Sequence, residues 1–242
     1  MARIRIMITC LSTAPMNTVD DTQARLRLLQ LTSPALPVGA YAYSQGLEQA
    51  IEAGWVNSAE QLQDWVGGLL QHTLCSLDIP VLLRLHAAWS AQDQAAVQYW
   101  NSRLHACRES TELQAEDRQL GNALARLLTD LGLEEARPWL TDAQATYASL
   151  FALAAARWRI SAHDMALGYL WSWCENQITA ALKLMPLGQT AGQRILSALI
   201  GLLPAALQHA ETCSDADIGQ LAPAQAIASA LHETQYSRLF RS

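Results

Sequence analysis

No stretch of this 242-residue chain alternates apolar and polar residues with β-branched enrichment, whereas apolar spacings of three and four recur almost throughout. A strand shows one face every second residue and a helix every 3.6, so the pattern selects helices and provides no sheet. The expected fold is all-α, a single-domain bundle of about nine to ten helices over residues 21–242.

Local signals divide the chain. Asp20, Asp21 and Thr22 stand where they can cap a short helix through Gln30, with Leu26, Leu28 and Leu29 inward. Ser44 reads as the start of a second helix that Gly54 ends. Ser58-Ala59-Glu60-Gln61 is a capping box, and Trp65, Leu69, Leu70 and Leu74 follow it at helical spacing. Asp78-Ile79-Pro80 reads as a restart, with an aspartate cap and proline in the first turn. Further helical patterns cover 93–108, 111–131, 141–157, 161–183, 190–208 and a short piece near 223–232. Tyr147–Ala156 and Ile195–Leu207 are apolar on more than one face, as helices are when central or covered by another chain.

Composition limits the function. A net charge of −6 argues against nucleic acid as a partner, since that needs a basic face. Five scattered cysteines without a Cys-x-x-Cys pair suggest neither a disulfide framework nor a zinc ribbon, and fit a reducing cytoplasm. Arg3, Arg5 and Ile6-Met7-Ile8 imitate a signal peptide too briefly to be one, so residues 1–20 are expected to be a disordered extension. The longest apolar run, Ile195–Leu207, is too short to span a bilayer and contains Pro204. The chain is expected to be cytoplasmic, with no membrane partner.

The usual catalytic patterns are missing. No Gly-x-x-x-x-Gly-Lys-Ser/Thr string occurs, and Ser44 lacks a nucleophile elbow. His72 with Cys75 and His209 with Cys213 are helical pairs without an obvious third ligand, so no metal site and no catalytic residue is expected. Glu109, Glu112 and Glu116 line one helical face beside Arg108, Asp117 and Arg118. The plain reading is a solvated face; a docking surface for a basic partner is the other.

Three punctuated segments remain. In the first, Pro34, Pro37 and Gly39 shape a loop that runs through Tyr41, Tyr43 and Ser44 to Glu48. In the second, Lys183, the only lysine, precedes a corner broken by Pro186 and Gly188, with Thr190 placed as the next cap. Gln177, Gln189 and Gln193 near that corner imply a hydrogen-bonded network or an interface. The third, residues 233–242, carries Tyr236, Arg238, Leu239, Phe240 and Arg241, a composition suited to a binding tail.

Four motifs within these segments and the acidic helix resemble the UreF family of urease accessory proteins. They are Ser33-Pro34-x-Leu36-Pro37-x-Gly39 running on to Ser44-x-Gly46-Leu47-Glu48, Glu112-Leu113 with Glu116-Asp117-Arg118-Gln119-Leu120-Gly121, Pro186-Leu187-Gly188-Gln189-Thr190 with Gly192-Gln193, and Tyr236 to Ser242. The resemblance runs in order from about residue 23 to the end; Ala230-Leu231 departs from it. It implies a non-enzymatic, homodimeric, all-helical protein without a cofactor. Such a protein bridges the D/H-type accessory protein and the nickel-carrying G-type GTPase, and through that complex serves the urease apoprotein. Carried over by position, Tyr41, Tyr43, Glu48, Arg238 and Arg241 would hold the tail or face the GTPase, with arginines against tyrosine faces. Lys183, Gln189 and Gln193 would sit at a dimer or partner interface. The other classes weighed are a passive helical scaffold, a metal-dependent helical enzyme, which would need clustered ligands, and a helical-repeat adaptor, which would need a period of about 34–45 residues.

Overall fold

A computed structural model describes residues 18–242; the expected N-terminal extension lies outside them up to residue 17. The helices are α1 (Thr18–Leu31), α2 (Leu47–Glu52), α3 (Ala59–Leu69), α4 (Ile79–Ser90), α5 (Gln94–Ala106), α6 (Thr111–Asp130), α7 (Tyr147–Arg157), α8 (Ala162–Leu184), α9 (Gln189–Ile200), α10 (Leu203–Thr212) and α11 (Pro223–His232). Short 3-10 turns occupy Ala40–Ala42 and Glu134–Leu140, and no strand occurs among the described residues.

Helix starts follow their caps. Ser58, Asp93, Ser110, Thr146 and Ser161 each accept an amide from the first turn beyond them, satisfying donors that a helix start leaves free. Asp78 does not cap. Its backbone is helical, and α3 and α4 join through a π-helical segment, Leu70–Asp78, into one rod. Pro80 explains part of this geometry. Without an amide hydrogen it leaves the Ser76 carbonyl free, and the Gly219 amide takes that carbonyl at 3.1 Å.

Other boundaries also differ from the spacing. α1 begins ahead of Asp20, and it turns Leu26 and Leu29 outward, 61% and 67% exposed, while Ala24 and Leu31 are buried. The 190–208 pattern is two helices, broken at Gly201-Leu202 ahead of Pro204, and Gly188 rather than Thr190 stands at the first cap. The 141–157 pattern begins as a helix only at Tyr147.

The rod and α7 form the centre. α4 packs along α7, α5, α8 and α10, and every residue of α7 from Ala148 to Ala155 is buried. Ala59–Ser90 and Gln189–Thr212 are long and apolar enough to cross a membrane. The first is largely buried in this core, and the second contains the break at Gly201.

α6 lies against the start of α7 at its closest point. A Cβ on Gly121 would stand 3.0 Å from the Thr146 carbonyl carbon and 3.1 Å from the Ala145 oxygen. Both are main-chain atoms that cannot swing aside. Gly121→Ala is therefore expected to destabilise the fold by about 1–3 kcal/mol in urea denaturation, through displacement of α6 from α7.

Candidate partner-binding site

After α11 the chain turns back, and its last residues lie along the segment between Ala42 and Ser44. The Arg241 amide donates to the Ala42 carbonyl and the Ser44 amide to the Ser242 carbonyl, both at 2.9 Å. The Ser44 hydroxyl donates to the same Ser242 carbonyl at 2.5 Å. Ser44 thus donates twice to the tail while its hydroxyl oxygen accepts the Glu48 amide, and α2 starts later than expected. Gln45 (φ +55°) and Gly46 (φ +84°) are left-handed and delay the helix to Leu47. Gly46 is also required by contact, since its Cβ would lie 3.1 Å from the Ser229 amide on α11.

Glu48 is the tail's main anchor. Oε1 accepts the Leu239 amide at 2.7 Å, and Oε2 accepts the Phe240 amide at 2.8 Å. Oε2 also meets His232 Nε2 at 3.1 Å, and His232 Nδ1 lies 2.7 Å from Glu112 Oε2. The other Glu112 oxygen pairs with Arg238 Nη1 at 2.6 Å. Bonds to ionised acceptors of this kind are short and strong, and they satisfy a carboxylate that burial alone would disfavour.

Lys183 supplies the second anchor. Its ammonium lies 5.4 Å from the centre of the buried Phe240 ring and 5.9 Å from that of Tyr41. The sole lysine, rather than an arginine, therefore meets the tyrosine face. Arg241 instead reaches Gln119 Oε1 at 3.4 Å, the oxygen that Tyr43 OH contacts at 2.6 Å. Asn176 donates to the Tyr43 carbonyl and fixes the loop to α8. Burial raises the Tyr43 hydroxyl above its ordinary pKa.

Glu116 holds the tail's end. Its carboxylate accepts from Gln45 Nε2 and Ser242 Oγ, each at 2.7 Å, and the Gln45 carbonyl accepts the Trp173 indole at 2.7 Å. Burial pushes the Glu116 carboxyl up to about 7. Beneath it Arg108 joins Asp78 at 2.7 Å and Asp117 at 2.8 Å, and Asp117 accepts the Tyr147 amide at 2.6 Å. Desolvation works against the Arg108 charge, but the two carboxylates outweigh it and hold its pKa above the ordinary value. Gln45, Glu116, Asp117, Asp78 and Arg108 line a cavity of ≈ 160 Å³ that reaches Pro34 and Tyr41.

Sequence reasoning missed part of this set. Glu112 and Glu116 do not form a solvated face; they turn inward onto the chain's own tail, while Glu109 is exposed. Continuing the buried stripe of Leu120 and Leu124 back one turn lands on Glu116, which was the available signal. Gln45 carried no comparable mark.

The glutamine corner does not assemble. Gln177 is buried with neither amide atom bonded, whereas Pro186, Gly188, Gln189 and Gln193 are exposed around the start of α9. Pro34 and Pro37 are exposed at the loop's rim, and Gly39 is left-handed at φ +84°. Cys75 faces the core, its thiol pushed up to about 12 by burial, while His72 points outward. His209 is exposed, with Cys213 half-buried beyond the end of α10.

A buried carboxyl that titrates near 7, against an ordinary 4.5, stabilises the fold fully below about pH 4.5 and loses that contribution as pH rises through about 7. Native chain and Glu116→Gln should therefore differ in their pH profiles. The stability of the native chain relative to the variant is expected to fall by about 2–3 kcal/mol between roughly pH 5 and 8, read by chemical denaturation.

The family model described as UreF matches residues 56–200. The urease accessory protein UreF of Alkalilimnicola ehrlichii is 55% identical over 219 residues, covering 90% of this chain and 96% of that protein. The UreF proteins of Hahella chejuensis and Chromohalobacter salexigens are 50% and 46% identical, covering 90% and 96% of this chain and 98% and 100% of their own lengths. This chain belongs to the UreF family of urease accessory proteins.

Proposed function

We propose that this chain serves urease maturation as a non-enzymatic scaffold. Its docked tail and the Ser33–Glu48 loop form the face that joins the D/H-type accessory protein to the nickel-carrying G-type GTPase. The joined complex promotes faithful Ni²⁺ delivery to the urease apoprotein. The observation that carries this reading is how the tail is held. Glu48 and the Ala42–Ser44 segment grip it through main-chain atoms, while Tyr236 stays fully exposed and Leu239 63% exposed. A peptide fastened by its backbone presents these side chains to another surface, and aromatic residues with arginine are the types that anchor interfaces. The outer face of α11 adds Ile227 and Leu231, 53% and 45% exposed, one helical turn apart. The buried ionisable groups hold the tail and the α6–α7 junction, which supports a structural rather than a catalytic use.

Self-association belongs to the same reading, with Pro186, Gly188, Gln189 and Gln193 at the homodimer contact. Ile200 and Leu202, 43% and 36% exposed, lie farther along that region. Ile200→Glu is expected to shift the chain toward monomer in sedimentation velocity while its helical content stays unchanged.

Deletion of Arg238–Ser242 should abolish copurification with the D/H-type partner and the GTPase. Tyr236→Ala with Leu239→Ala removes only exposed side chains and should weaken the complex at least about tenfold, the effect of one interface anchor. Full complex formation by the deleted chain would refute the tail's assignment.

A further inference from the structure

His232 ends α11 with no exposed surface, and its two ring nitrogens meet carboxylates from two different helices. Glu48 comes from α2 and Glu112 from α6. Ionised carboxylates only accept hydrogen bonds, so both contacts form at once only when both ring nitrogens carry hydrogen. The same carboxylates hold the tail. Glu48 receives the Leu239 and Phe240 amides, and Glu112 receives Arg238. Two carboxylates converging on a buried point repel each other unless a cation lies between them.

We propose that His232 is a proton-dependent latch whose protonated ring fastens Arg238–Ser242 across Glu48 and Glu112, and whose deprotonation releases them. The charged groups facing it are Glu48 from α2, Glu112 from α6 and Arg238 from the tail. Glu116, one turn along α6 from Glu112, holds Ser242, and Glu233 turns instead to the Thr111 amide. Without the proton, one ring nitrogen presents a lone pair to a carboxylate, and Arg238 alone opposes two negative charges. Docking and the doubly protonated ring thus favour each other, so docking weakens as pH rises.

The latch regulates the tail that the proposed function assigns to partners, but its test needs no partner. Loss of complex formation would leave it standing. Hydrogen exchange of the Leu239 and Phe240 amides is followed in the full chain from about pH 5.5 to 8.5, each rate divided by that of a free peptide of the tail sequence. Protection is expected to fall about tenfold or more across that range. His232→Gln should show low protection without the trend. Glu116→Gln should keep the fall, which separates the latch from the Glu116 titration. Nuclear magnetic resonance of the His232 ring in the native chain provides a reading that does not depend on the variant folding. A ring that is neutral while the tail is docked, protection that is flat in the native chain, or a His232→Gln chain with the native trend would each overturn the proposal.

Discussion

Arg108, its side chain 16% exposed, lies between the buried Asp78 and Asp117, and this ion pair network sets the geometry on which the rest depends. Asp78 belongs to the long rod, Arg108 to the turn between α5 and α6, and Asp117 to α6, whose other oxygen takes the first amide of α7. The rod, the approach to α6 with its first turns, and the start of α7 thus meet around one guanidinium. A buried charge network of this kind adds little net stability over apolar packing, but removal of one member leaves a charge uncompensated. Its effect is mainly positional. It sets the rotation of α6, and that rotation points Glu112 and Glu116 at the tail.

The tail site then divides into two kinds of contact. Glu48 and Ser44 read main-chain atoms, and Lys183 and Glu112 read the side chains of Phe240 and Arg238. The first kind places the segment, and the second fixes which residue occupies which position. Backbone strain is present in the same place, because Gln45 is a non-glycine residue held at positive φ while both ends of its amide are bonded. Such a conformation persists where surrounding contacts over-determine it.

Much of the helical order was legible in the sequence, because caps and apolar stripes are local signals. Ser58 stands directly before the helix it opens and accepts the Gln61 amide as its sequence indicates, while Gln61 reaches back to the Asn57 amide. Errors arose where a distant residue takes over a local role. Asp78 has the sequence of a cap, yet Arg108 claims its carboxylate and the helix runs through it. Ser44 has the sequence of a helix start, and its hydroxyl oxygen still accepts the Glu48 amide, but its amide and hydroxyl hydrogens go to Ser242 and the helix waits until Leu47. Of the site, Glu48, Lys183, the tail and the Glu112–Gly121 stretch were legible as motif residues. The inward turn of Glu112 and Glu116 was not, because carboxylates at helical spacing resemble a wet surface until their partners are known.

The contact between Ser44 and Ser242 spans 198 positions of chain. Closing so long a loop costs entropy that only an assembled receiving surface can offset. The groove that receives the tail requires α2, α6 and α11 to be in place together. A chain with a defect in any of them cannot display the finished tail. Under the proposed function, the surface offered to partners is thereby coupled to completion of the fold, and their engagement doubles as an inspection of the scaffold's own integrity.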